Sequence, residues 1–235
     1  MYMGKRNLDL EPRLEGIREK RISTVIQFPL NEIEEHFNEN LQYIYEQFAI
    51  ADELIENGRE VEARNIWSSQ IVFLESAFDF YLHELTKFGL FEMFKGNWEK
   101  TEKYNNLSVK MKIVDKALNM REDTDWFLQF ISEFYKGITL VSYQSLKDQM
   151  NLLGLDLQKV ADGVFYERGS SIKTKNKLET RLEKLYYRRN IIAHQSGRRH
   201  YDAIREEITK DMVKEHIEDI KRIVAQIQEL ARQKA

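Results

Sequence analysis

Residues 60–88 read EVEARNIWSSQIVFLESAFDFYLHELTKF, and this stretch decides the fold class. Trp67, Ile71, Leu74, Phe78, Tyr81, Leu85 and Phe88 recur in steps of three and four, which places them on one stripe of a helix. Ile66, Phe73, Ala77 and Phe80 form a second set beside it. An apolar face that wide predicts burial against several neighbours.

Upstream, Ile33, Phe37, Leu41, Ile44, Phe48, Ala51 and Ile55 form a second long stripe, with Asn31 and Glu34 placed as a capping box. Asn57-Gly58 ends it, so the two helices are expected to form an antiparallel hairpin. Residues 1–29 hold both prolines, Pro12 and Pro29, and read as an arm or short helix. Downstream, residues 89–104 are mixed in character and expected to loop. Shorter helices are expected through Leu107, Met111, Val114 and Leu118, then through Trp126, Phe127, Phe130 and Phe134. Residues 137–165 suggest one or two helices broken at Gly154 and Gly163, and residues 163–175 a loop. A penultimate helix is expected from about residue 176 to 192, stopping near Gln195-Ser196-Gly197. The last is expected to start near Thr209 as its cap and to carry Val213, Ile217, Ile220, Val224, Ile227 and Leu230. No β-hairpin or internal repeat is apparent, so the fold class is all-α, an antiparallel helical bundle. Helix packing explains the apolar stripes without a cofactor.

Composition agrees. Beyond Pro29 the 235-residue chain has no proline, and glycine totals 10. No run approaches the roughly 18 apolar residues that span a bilayer, and the N-terminus lacks the apolar core of a signal peptide. A cytoplasmic protein without membrane association is the expectation. There is no cysteine, which removes disulfides, thiolate metal sites and a cysteine nucleophile. The net charge of -3 hides an asymmetry: residues 168–205 carry eleven Lys or Arg against Glu179, Glu183 and Asp202. Such a segment attracts a polyanion, or is a solvated helix face.

The usual chemical motifs are missing. There is no H-E-x-x-H, no P-loop and no G-x-G-x-x-G, and Gly169-Ser170-Ser171 lacks the second glycine of a nucleophile elbow. No metal or cofactor is expected. What remains is residues 185–195, LYYRRNIIAHQ, at the end of the penultimate helix. Arg189 falls on the stripe of Leu182, Leu185 and Ile192, where a charge is costly unless it is paired or faces a cleft. Glu75 and Asp79, one turn apart on an otherwise apolar helix, are the candidate acids to pair with Arg189 or to orient His194. They read equally as a solvated edge of that helix. His194 lies in the last turn, where the helix dipole favours an imidazolium; it reads as a titrating group or as a simple helix cap. On an ideal helix Arg189 and His194 point about 140° apart, while Asn190 and His194 share a face. Arg189 therefore reaches His194 only by bending around, by a loosened helix end, or across a second subunit. His200 is a weaker candidate, and His36, His83 and His216 read as residues of polar helix faces.

The arrangement Arg189, Asn190, His194 on a late helix of an all-α chain resembles the signature of the HEPN superfamily. There an Arg, often followed by Asn, Asp or His, precedes a His by four to six intervening residues. The flanking LEKLYYRRNIIAHQSG of residues 182–197 resembles the form found in bacterial defence and toxin members. IVFLESAFDFYLHEL (71–85) resembles an early HEPN helix, and SLKDQMNLLGLD (145–156) a helix and turn that precede the motif. The resemblance spans roughly residues 60–235. It implies a HEPN-like helical domain over 59–235. Residues 1–58 lie outside the family pattern and read as an N-terminal arm and long helix that packs on the bundle, builds the dimer or binds a regulator.

It also implies a homodimer with the two motifs facing one cleft, and a metal-independent endoribonuclease. RNA would be cleaved by its own 2′-hydroxyl to leave a 2′,3′-cyclic phosphate and a 5′-hydroxyl, in a toxin or antiviral defence system. Some members are instead inactive binding modules. The residue types suit the chemistry: His194 as general base or acid, Arg189 holding the phosphate, Asn190 orienting the imidazole or donating to phosphate. Arg188, Arg198 and Arg199 would position the RNA backbone, and Tyr187 and Tyr201 would stack on bases or simply pack. A regulatory protein or nucleic-acid partner is expected, because an unregulated ribonuclease is toxic.

Overall fold

Residues 25–119 and 125–234 are described by a computed structural model. The expected arm of residues 1–29 therefore lies largely outside the described residues. Among the described residues two long helices come first, α1 (Leu30–Glu56) and α2 (Glu60–Lys95), followed by the short α3 (Glu102–Asn105), α4 (Met111–Asn119) and α5 (Asp125–Tyr135). Next come α6 (Tyr143–Leu153), α7 (Leu157–Phe165), α8 (Thr174–Gln195) and α9 (Lys210–Lys234). Among the described residues there is no strand, only an isolated antiparallel bridge between Arg198 and Arg205. The protein is all-α.

Along α1, Ile33, Phe37, Leu41, Ile44, Phe48 and Ala51 are buried as their spacing predicts, while Ile55 is exposed. The expected capping box does not form. The helix begins at Leu30, directly after Pro29, so Asn31 is already inside the first turn, and Glu34 pairs with Arg232 of α9 instead. Proline suits this entry because its fixed φ and missing N–H cost nothing at a helix start. Asn57 and the left-handed Gly58 close α1 as expected, with φ 71° at the glycine. The hairpin is antiparallel: the buried Gln70 Nε2 donates to Ile44 O at 2.8 Å, and these two residues are equidistant from Asn57.

Residues 89–95 are helical rather than looped. Leu90, Phe91 and Met93 continue the buried face of α2, and Gly89 does not break it. A Cβ at Gly89 would lie 2.7 Å from Leu153 and 2.8 Å from Trp98, so the glycine permits a close approach. The stop comes at Gly96, in the left-handed conformation at φ 85°. Gly154 separates α6 from α7 as expected, with φ 66°. Gly163 instead lies inside α7, against Gln226 of α9, so the following loop starts only after Phe165.

Helices α1, α2 and α9 share one core. Tyr81, fully buried, donates to Gln228 Oε1 at 2.9 Å, and Gln228 Nε2 donates to Leu30 O at 2.6 Å. Polar groups at this depth are tolerated because each finds a partner. Thr209 caps α9, accepting from Met212 N at 3.2 Å. Helix α8 lies against α2 and α7 through Leu178, Leu182 and Leu185. No helix among the described residues is long and apolar enough to cross a membrane.

Candidate functional site

The stripe that seats α8 in the bundle runs through Leu178, Leu182 and Leu185 and arrives next at Arg189. Facing it from α2 is Glu75, buried at 2 % exposure, whose Oε2 lies 2.5 Å from Arg189 Nε. The contact is close but not aligned as a hydrogen bond, and Glu75 Oε1 has no hydrogen-bond partner among the described residues either. Burial therefore dominates. It pushes the Glu75 carboxyl up to about 7, against the opposing pull of Arg189 and with a smaller push from the charge of Asp79. Of the two acids proposed from sequence, Glu75 is the one that pairs with Arg189. Asp79 turns to the loop before α6, where its Oδ1 accepts from Leu140 N at 2.7 Å and its Oδ2 stands 3.7 Å from His83.

The other end of the guanidinium reaches sideways along α8: Arg189 Nη1 donates to Asn190 Oδ1 at 2.9 Å. Asn190 is one turn before His194, so the arginine is turned from the core toward the face that carries the histidine. His194 is exposed in the last turn of α8 and has no hydrogen bond or ion pair among the described residues. Its side chain makes no capping hydrogen bond among the described residues, although it stands in the last turn.

Beyond His194 the chain reverses. Ser196 and Gly197 both take left-handed backbone, φ 53° and 71°. Residues 197–206 then fold back as a small hairpin in which Arg199 N donates to Ile204 O at 3.0 Å and Glu206 N to Gly197 O at 2.9 Å. The turn is braced by Asp202, which takes Arg199 Nη2 at 2.5 Å and Nε at 3.2 Å. The hairpin returns Glu206 to the side of α8. One carboxylate oxygen lies 3.1 Å from Arg188 Nη1, and the other accepts from Tyr187 Oη at 3.0 Å. This bond raises the Tyr187 phenol above its usual range.

The structure thus brings together Glu75, Arg189 and Asn190, with His194 on the same helix face as Asn190. The four residues proposed to bind RNA are each engaged within the protein. Arg188 and Tyr187 meet Glu206, Arg199 meets Asp202, and Arg198 Nη1 donates to Ala203 O at 2.7 Å. Tyr201 is exposed, with the Arg199 guanidinium 5.0 Å from its ring centre. Sequence reasoning missed Glu206. Nothing in its local pattern marks it, because only the hairpin brings it to α8.

Of the remaining histidines, His216 departs most from expectation. It is half-buried rather than on a polar face, and desolvation pushes it down to about 4. Beside the C-terminal end of α8, a cavity of about 780 Å³ is lined by Trp67, Ser68, Ile192, Ser196, Arg205 and Thr209, among others. Among the described residues, no group of three or more His, Asp or Glu side chains is gathered as a metal site requires. No protein-family model, curated protein or solved structure matches the chain.

Proposed function

We propose that the chain is a metal-independent endoribonuclease of the HEPN type. The observation that carries this reading is Arg189. Its guanidinium is seated on the buried Glu75 and bonded to Asn190, which shares a helix face with the solvent-facing His194, itself without a partner among the described residues. In the proposed reaction the RNA 2′-oxygen attacks the adjacent phosphorus and the bond from phosphorus to the 5′-oxygen breaks. The 2′-hydroxyl gives up its proton and the leaving 5′-oxygen gains one. The products are a 2′,3′-cyclic phosphate and a 5′-hydroxyl. His194 serves as the base that accepts the first proton or the acid that supplies the second. Arg189, always protonated, stabilises the charge that builds on the phosphoryl oxygens. The one imidazole per motif makes a homodimer the natural functional unit, with a second motif sharing the proton transfers across the cleft. Such an enzyme belongs in the cytoplasm, as part of a toxin or defence system under a regulator's control.

The test is RNA cleavage in EDTA by wild type, His194→Ala and Arg189→Ala, with end-group analysis. Wild-type cleavage to cyclic phosphate ends, lost in both variants, is the expected result. Cleavage that survives in His194→Ala overturns the assignment.

A second reading, a non-catalytic module that binds a protein or nucleic acid, is favoured by one observation. Arg188, Arg199 and Tyr187, which would cradle the RNA, are already bound to Glu206 and Asp202. Salt-sensitive RNA binding without cleavage would support it.

A further inference from the structure

From α1 to Thr86 the chain carries thirteen Asp or Glu against only Arg59 and Arg64. On α1 itself there is no Lys or Arg. Glu34 and Asp52 spend their charge on Arg232 and Lys210 of α9. Glu35, Glu39, Glu46 and Glu53 do not: all four are exposed, and none has an ion pair among the described residues. Their spacing of four, seven and seven places them on one face of the helix.

Alongside this acidic edge runs an apolar groove between α1 and α2, with a volume of about 660 Å³. Its walls include Tyr43, Phe73 and Phe80, exposed at 63 %, 51 % and 39 %, and its floor includes Ala77. Phe73 and Phe80 belong to the second apolar set of α2, which its periodicity predicts to be covered. At one end His36 also lines the groove, and its Nδ1 is buried without a hydrogen-bond partner among the described residues. Large aromatic side chains bordering a groove, rimmed by charge, mark an interaction surface rather than scattered surface residues.

We propose that this groove is a docking site for an amphipathic helix of a partner protein, with apolar anchors at i, i+4 and i+7 and Lys or Arg along its flanks. The groove residues on α1 run from His36 to Gln47, about three helical turns, which matches that anchor spacing. Charge complementarity selects the occupant. Face-to-face pairing with a second copy would set the row of four carboxylates against itself, and like charges across an interface are costly. A basic helix removes that repulsion while its anchors cover the aromatic rings. The site is remote in charge and composition from the end of α8, and the inference stands whether or not the chain cleaves RNA.

The probe is a short fluorescent helical peptide with Leu at i, i+4 and i+7 and Lys on its flanks, titrated against the full chain. Saturable binding is expected. Phe73→Ser and Tyr43→Ser should each weaken it at least about tenfold. Glu39→Lys combined with Glu46→Lys should weaken it further at low salt than at high salt. All four positions are exposed, and unchanged melting temperatures would confirm that the variants fold. A control peptide with Ser at the anchor positions should not bind. Equal affinity for that control, or for Phe73→Ser, overturns the proposal, as does failure of the full chain to bind. Two further outcomes reassign the groove. Self-association lost in Phe73→Ser gives it to a second copy. Hydrogen-exchange protection of residues 1–24, lost in the same variant, gives it to the chain's own N-terminal arm.

Discussion

The α1–α2 hairpin and the stretch from residue 168 to 205 carry net charge of opposite sign. They spend it differently. The basic stretch looks the more exposed in sequence, yet Arg181, Arg188, Arg189 and Arg199 each meet a carboxylate: Glu215 and Asp219, Glu206, Glu75, and Asp202. The acids on the outer face of α1 have no such partners among the described residues. A run of charge in sequence is therefore a poor guide to the field at the surface. What counts is whether the fold returns the opposite sign to the same place, as it does with Glu206 and does not with Glu39.

The contrast extends to what substitution should do, and the largest expected effects separate the two regions cleanly. In α2, Phe78 is fully buried, and Phe78→Ala should cost about 3–5 kcal/mol of stability. His194→Ala should leave stability within about 0.5 kcal/mol, because the side chain is exposed and has no partner among the described residues; if the chain is the proposed ribonuclease, the same change should reduce RNA cleavage by about 10²–10⁴. Chemical denaturation and a cleavage assay on the same two proteins check both. A His194→Ala protein that loses several kcal/mol would give that histidine a structural role.

Next in size is the carboxylate where the two regions touch. Glu75 is held near 7 in the folded chain, above the ordinary carboxylate range. The folded state then binds a proton that the unfolded state has already released, so stability falls as pH rises from about 4.5 to 7 and is flat beyond. Glu75→Gln should remove that loss. The variant should gain on wild type by about 2–3 kcal/mol across the window, read as melting temperature against pH. It should also lose cleavage, if the carboxylate's hold on Arg189 is what aims the guanidinium. A stability difference that does not change with pH would mean that Glu75 keeps an ordinary carboxyl.

These residues also show how far the sequence could be read. Arg189 stood out because a guanidinium on an apolar stripe demands an acid, and Glu75 and Asp79 were the acids available on a facing helix. The choice between them rests on packing, which turns Asp79 to Leu140 N. The stripes of α1 and α9 were legible because each repeats over many turns. Gly89 was not: a glycine that ends a helix and one that lets Trp98 and Leu153 approach look alike in one dimension. Phe73 and Phe80 show a further limit, since periodicity identifies an apolar face but cannot say whether the fold covers it.

A smaller effect should come from the clasp on α8. Glu206 pairs with Arg188 and holds Tyr187, so under the proposed ribonuclease reading an RNA phosphate would have to displace it. Glu206→Gln should strengthen RNA binding several-fold at low salt. It should also steepen the slope of log affinity against log salt by about 0.7, the share of one further phosphate contact to a single strand. An unchanged slope would show that Arg188 is not on the RNA path.

The smallest effect belongs to the ion pair that ties the acidic hairpin to the helix following the motif. Lys210 Nζ lies 2.7 and 2.6 Å from the two oxygens of Asp52, with the side chains 32 % and 44 % exposed. Exposure and salt limit such a pair to less than about 1 kcal/mol. Lys210 is also the first residue of α9, where the helix dipole disfavours a cation, so removing the lysine should cost less than removing the acid. A double-mutant cycle with Asp52→Asn and Lys210→Ala reads the coupling directly. A coupling well above about 1 kcal/mol, or one insensitive to salt, would mean that charge rather than packing joins the two regions. The buried Tyr81–Gln228–Leu30 chain already links α2, α9 and α1 without it, so the expected coupling is small and fades in high salt.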